Sequence, residues 1–247
     1  PVAINCQLKA RSIKVDARGP LIINRSLIAD DKISISTSDK VIINRNISSR
    51  KLALSGNNSG AGNIIFKVNR NTIAVNDLVL EDKVKFTAQG QDYDAAIRVS
   101  NSATVQKHSS MVLDDASCSV NRLHNKGTIE AIQSNLACHH FDQAGSANFE
   151  NSTISITEDY IQSDTAESSR CFGSNFKANV MKQQQGEISF SESSVGLNML
   201  DVAAGTLSAS KSSRISVTEA INIQSEAHLK LSQKAHCTAG HDISVQG

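Results

Sequence analysis

The chain has 247 residues, a formal net charge of +1, 39% hydrophobic and only 4% aromatic residues, and no Trp. That is too little bulky side chain for the core of a compact enzyme of this length. It is also too little basic excess for a surface whose main partner is nucleic acid. No apolar run approaches the ~18–20 residues of a membrane-spanning helix.

Read from the N-terminus, the chain opens on Pro1-Val2-Ala3-Ile4-Asn5. This segment has neither the charged start nor the long apolar stretch of a signal peptide. The first clear element is Pro20-Leu21-Ile22-Ile23-Asn24-Arg25, which returns as Lys40-Val41-Ile42-Ile43-Asn44-Arg45 at an offset of 20. Ile33-Ser34-Ile35-Ser36 returns as Leu52-Ala53-Leu54-Ser55 at an offset of 19. Further on, Leu78 and Leu80 match Ile97 and Val99 at 19. The middle repeats at 18: Met111 and Leu113 match Ile129 and Ala131, then Ala147 and Phe149. In step with them, Cys118 and Val120 match Leu136 and Cys138, then Ile154 and Ile156. The C-terminal part repeats at 22, with Leu207, Ile215 and Ile221 matching Leu229, Cys237 and Ile243.

Within every period the pattern is apolar-x-apolar, the two-residue alternation of a short strand with one buried face. Asn, Asp, Ser and Gly fill the gaps, as turn residues do. The fold class follows: all-β, a right-handed parallel β-helix (β-solenoid) with three short strands in each coil of 18–22 residues. About 12 coils spaced ~4.8 Å apart give a rod of ~55–60 Å. Residues 1–247 form one such domain. The chain starts and stops in mid-pattern, which points to a segment of a longer repeat protein.

In a rod, departures from the repeat are the places for specificity. Three stand out: Gln89–Asp94, Thr157–Arg170 and Lys182–Glu187. The two Tyr of the chain fall in the first two, beside acids: Asp92, Tyr93 and Asp94; Glu158, Asp159, Tyr160 and Asp164. Exposed Tyr is enriched at interfaces, so these seven residues are the candidate partner contacts. The bland reading is two solvated loops.

The remaining polar groups give no catalytic residue, no metal set and no cofactor site. The five Cys (Cys6, Cys118, Cys138, Cys171 and Cys237) lack Cys-x-x-Cys spacing. Cys118, Cys138 and Cys237 fall on inward positions and read as small core hydrophobes. In a strand, one of His139 and His140 should point in and the other out, so they would not share a metal. Asp30-Asp31 and Asp114-Asp115 look like the acidic pairs of β-helical polysaccharide hydrolases and lyases. Their separation along the rod is ~20 Å, too far for joint acid–base work.

The coils resemble the filamentous-haemagglutinin repeats of bacterial two-partner-secreted exoproteins. Ala239-Gly240-His241-Asp242-Ile243-Ser244-Val245 is similar to the Ala-Gly-Gly-Asp-Ile-x-Leu core of those repeats, and Ala203–Ala209 is a looser copy. The resemblance implies a non-catalytic, adhesive shaft, secreted or at the bacterial surface. It implies a receptor, protein or glycan, on a host or neighbouring cell, no nucleic acid partner and no membrane span. Flat faces and open ends would suit side-by-side or end-to-end self-association. Two features depart from the family: there is no Asn-Pro-Asn secretion motif, and the chain has five Cys. The thiols fit a reducing cytosol, so the alternative is a protein-binding module of a host-injected effector. A polysaccharide lyase or hydrolase is the third reading.

Overall fold

The computed structural model describes residues 2–56, 61–67, 71–90 and 95–246. Asp92, Tyr93 and Asp94 lie outside the described residues. The 23 described strands belong to one sheet, and neighbouring strands pair in parallel throughout, as between Cys118 and Leu136 or Leu21 and Val41. Successive pairings climb a single axis. The chain is thus a parallel β-solenoid, and twelve coils can be followed at one position: Leu8, Leu27, Ile47, Ile73, Ile97, Cys118, Leu136, Ile154, Phe176, Val195, Ile215 and Cys237.

Each coil has three faces. The first is a short strand such as Leu21–Ile23. The second and third come from one longer strand, such as Leu27–Thr37, whose register breaks between Ile28 and Lys32. That break is a corner: residues before it pair on the second face, residues after it on the third. The three short strands expected per coil are therefore present, two of them run together.

Alternation explains the core. Ile23, Leu27, Ile33 and Ile35 of one coil are fully buried. Ile43, Ile47, Leu52 and Leu54 lie above them in register and are just as buried. Each side chain is covered above and below by its equivalents, and burying one is worth roughly 1.5–3 kcal/mol. The first and last coils have a neighbour on one side only, so Val2, Leu231, Ile243 and Val245 are exposed.

Coil length varies more than the expected 18–22. The step from Cys118 to Leu136 is 18 residues, but that from Ile47 to Ile73 is 26 and that from Ile73 to Ile97 is 24. One repeat match is consequently corrected. Ile97 and Val99 stack on Ile73 and Val75, while Leu78 and Leu80 stack under Ala103 and Val105. Alternation looks the same on all three faces, so it does not say which face a strand belongs to when a coil lengthens.

The corner between the first and second faces is built in two ways. In coils one to three an outer ladder of amides joins the rungs. Asn24 Nδ2 donates to Asn5 Oδ1 at 2.9 Å, and Asn44 Nδ2 to Asn24 Oδ1 at 2.8 Å. From coil six onward the device is internal. A residue with positive φ makes the turn (Asp115, Gln133, Asn151, Gly173, Glu192), and the residue after it points inward. In coils seven to eleven that inward residue is serine. The backbone N–H of Ala116 donates to Ser134 Oγ, that of Ser134 to Ser152 Oγ, and so on through Ser174, Ser193 and Ser213, at 3.0–3.2 Å. Each of Ser152, Ser174 and Ser193 also donates its hydroxyl to carbonyls of its own and the preceding coil. Buried corner amides are thereby satisfied without water.

Candidate functional site

Of the acidic candidates of the middle region, Glu158 and Asp159 occupy the corner between the second and third faces of coil eight. His140 Nε2 lies 2.9 Å from Glu158 Oε2, and His140 Nδ1 3.9 Å from Asp159 Oδ2. One coil below, His124 Nδ1 lies 2.8 Å from Asp142 Oδ2. His139 Nδ1 and Thr157 Oγ1 are 2.9 Å apart. Glu158 is exposed, and His124, His140, Asp142 and Asp159 are half-exposed. Such surface pairs hold a patch in shape but contribute little to stability, about 0–1 kcal/mol each.

Both His139 and His140 face outward, which corrects the in–out alternation expected of them. The register break between Cys138 and Phe141 places the corner on these two residues, and a corner suspends the two-residue period. Their partners nevertheless differ, and among the described residues no group of three or more His, Cys, Asp or Glu is placed to hold a metal ion.

Tyr160 is the main correction. It points into the core, 1% exposed, and cannot be a surface contact. Its ring meets Phe141 and Phe176 edge to face, at centroid distances of 5.3 and 5.4 Å. Its hydroxyl is 2.7 Å from Ser169 Oγ and donates to Gln162 Oε1 at 3.2 Å. Burial pushes the phenol pKa up, and the Ser169 hydrogen bond pulls partly against it. The register break between Ile156 and Asp159 accounts for this orientation. After the corner, alternation resumes with Asp159 out, Tyr160 in, Ile161 out and Gln162 in.

The true departure is therefore shorter than Thr157–Arg170: the strand runs on to Gln162 and the next begins at Ser168. Asp164 sits in the intervening turn, exposed and apart from the histidine pairs. The departure at Lys182–Glu187 divides likewise. Gln183 is buried and donates to the carbonyls of Gly186 and Thr206, while Gln184 and Gln185 are exposed.

The acidic pairs do not converge. Asp30 and Asp31 lie at the second–third corner of coil two, whereas Asp114 and Asp115 lie at the first–second corner of coil six. Cys118, Cys138 and Cys171 are buried, and desolvation raises each thiol, Cys118 to about 12. All five Cys are free; Cys6 is exposed and Cys237 half-buried.

Charge is segregated along the rod. Residues 1–55 carry ten Lys and Arg against four acids, whereas residues 127–169 carry seven acids and no Lys or Arg. The basic end holds a feature the sequence reading passed over: an open cleft of about 580 Å³ at the first–second corner, lined by Asn5, Asn24, Arg25, Asn44, Arg45, Lys67 and Asn71. Its signal was the repeated Ile-Ile-Asn-Arg, used above only to find the period.

No helix among the described residues is long and apolar enough to cross a membrane. Compared with protein-family models, with curated proteins and with solved structures, the chain matches none.

Proposed function

We propose that this chain is a non-catalytic, adhesive shaft segment of a large bacterial secreted or cell-surface exoprotein, attaching to a host or neighbouring cell. The observation that carries the reading is the parallel stacking of twelve coils on one axis, with adjacent coils joined by asparagine and serine ladders. A stack of this kind resists bending and holds surface groups at fixed intervals along its length, which is the property a spacer needs. The resemblance of Ala239–Val245 to filamentous-haemagglutinin repeats supports the same reading.

The test is attachment of the purified whole chain, coupled to fluorescent beads, to cultured epithelial cells and to Gram-negative bacteria. Retention above beads carrying an unrelated β-helix is expected. Retention no higher than that of the control beads on both cell types overturns the attachment role. Turnover of an acidic polysaccharide by the chain overturns the non-catalytic one.

A second reading, a protein-binding module acting inside a host cell, is favoured by the five free thiols. Three of these are buried and raised in pKa, so they are unreactive in either compartment. The weight of that reading rests on Cys6, which is exposed, and on the half-buried Cys237.

A further inference from the structure

We propose that the cleft between the first and second faces of coils one to four binds an acidic glycan, its sulfate or carboxylate groups held by Arg25, Arg45 and Lys67. The inference gives a chemical class to the attachment proposed above and rests on that reading only for its biological meaning. The cleft itself needs nothing beyond the coil geometry.

The amide ladder fixes the spacing. Asn5, Asn24 and Asn44 are joined side chain to side chain. Arg25 and Arg45, each directly after a ladder residue, therefore rise one rung apart, ~4.8 Å. Lys67 follows Phe66, which pairs with Ile43, so it takes the place of the next ladder residue, one rung beyond Asn44 and beside the line of the two arginines. Asn71 closes the wall. It is 7% exposed, and its Nδ2 donates to the carbonyls of Asn44 and Lys67 at 2.9 and 3.3 Å. A buried amide thus ties the backbone of the lysine to the backbone of the ladder.

The electrostatics are one-sided. Among the described residues no carboxylate lines the cleft, and none of the three cations is ion-paired. Like charges on neighbouring strands repel, and a polymer carrying anions along its length relieves that repulsion at each rung. Guanidinium groups suit the task because their planar fork matches the oxygens of sulfate and carboxylate.

The remaining chemistry favours sugar over nucleic acid. Four asparagines line the cleft. The ladder uses one N–H of Asn24 and one of Asn44, and an amide NH₂ carries two, beside a carbonyl with two lone pairs. Such groups hydrogen-bond hydroxyls. Single-stranded nucleic acid is held by aromatic stacking platforms, and among the described residues no aromatic one lines the cleft.

The test is calorimetric titration of the whole chain with three probes: a sulfated hexasaccharide, an unsulfated hexasaccharide of uronic acids, and a single-stranded oligodeoxynucleotide of matched charge. At least one glycan is expected to bind more tightly than the oligonucleotide, weakened by about tenfold or more in R25E/R45E. The control R214E/K230E removes equal charge far from the cleft and should stay within about twofold. Unchanged thermal melting by circular dichroism shows that each variant is folded. No glycan binding, equal binding by R25E/R45E, or tighter binding of the oligonucleotide overturns the assignment. The same variants on the bead assay keep the two ideas apart. Bead attachment without glycan binding sinks this inference and leaves the shaft reading standing. Glycan binding at the cleft without attachment does the reverse.

Discussion

Coils two to four and coils seven to nine obey the same stacking rule with different materials. The earlier coils fill most of their interior with aliphatics such as Ile33, Ile35, Leu52 and Leu54, with Phe66 in coil four, and join their first corner from outside with asparagine. The later ones bury an edge-to-face chain of Phe141, Tyr160 and Phe176, continued by Phe190 of coil ten, and join the same corner from inside with serine. A buried amide column, begun by Asn125 of coil six and continued by Gln143, Gln162 and Gln183, runs along the corner between the third and first faces. There Asn125 Nδ2 donates to Gln143 Oε1 at 3.0 Å. The difference bears on function. An outer ladder leaves the following side chain free to face solvent, and Arg25 and Arg45 occupy that position. An inner ladder gives that corner a role in the core.

The comparison can be broken at several points, the largest first. Phe176→Ala empties an aromatic site between Tyr160 and Phe190 and should cost about 3–5 kcal/mol in urea unfolding. A loss below about 1 kcal/mol would mean that the aromatic block is not a packed unit.

Alkaline pH should weaken the later coils selectively, since all three fully buried thiols lie in coils six to nine. Their folded pKa values are raised by burial. The unfolded chain therefore ionises first, and stability is intact below the ordinary thiol pKa. It falls as pH rises from there toward the folded values. The loss should be roughly 1.4 kcal/mol per thiol between pH 8 and pH 10. It should shrink in C118V/C138V/C171A, followed by chemical denaturation at each pH. An unchanged pH slope would show that these thiols titrate normally.

Ser152→Ala strands the buried N–H of Ser134 and should cost about 1–3 kcal/mol. Asn24→Ala removes an outer link whose partners can turn to water, and should cost about 0.5–1 kcal/mol. Equal losses for the two would erase the distinction between inner and outer corners. The smallest effect belongs to the histidine patch. E158Q/D159N should change stability by no more than about 0.5 kcal/mol, because both carboxylates are at the surface.

Much of the fold was legible because it is written twice in every coil, as alternation and as return. The matches at Leu21, Met111, Cys118 and Leu207 all fall in the observed register. The mismatch at Leu78 arose where the coils lengthen to 24 and 26 residues. The site was legible only in part. Glu158 and Asp159 are at the surface as expected, but Tyr160 was misread because a corner inserted before it reset the alternation.

The serine ladder went unseen for a different reason. Gln133-Ser134, Asn151-Ser152 and Gly173-Ser174 look like ordinary turns, and nothing local shows that their hydroxyls face inward toward the next coil. The sequence alone determined that apolar positions return every 18 residues or more, and hence that the chain stacks on itself as short parallel strands. Only the tertiary structure decided where each coil turns, and with it which polar groups are sealed inside and which cations gather on one edge. The reason is geometric: a period is a local property of the chain, whereas a corner is satisfied by hydrogen bonds to the coil above or below.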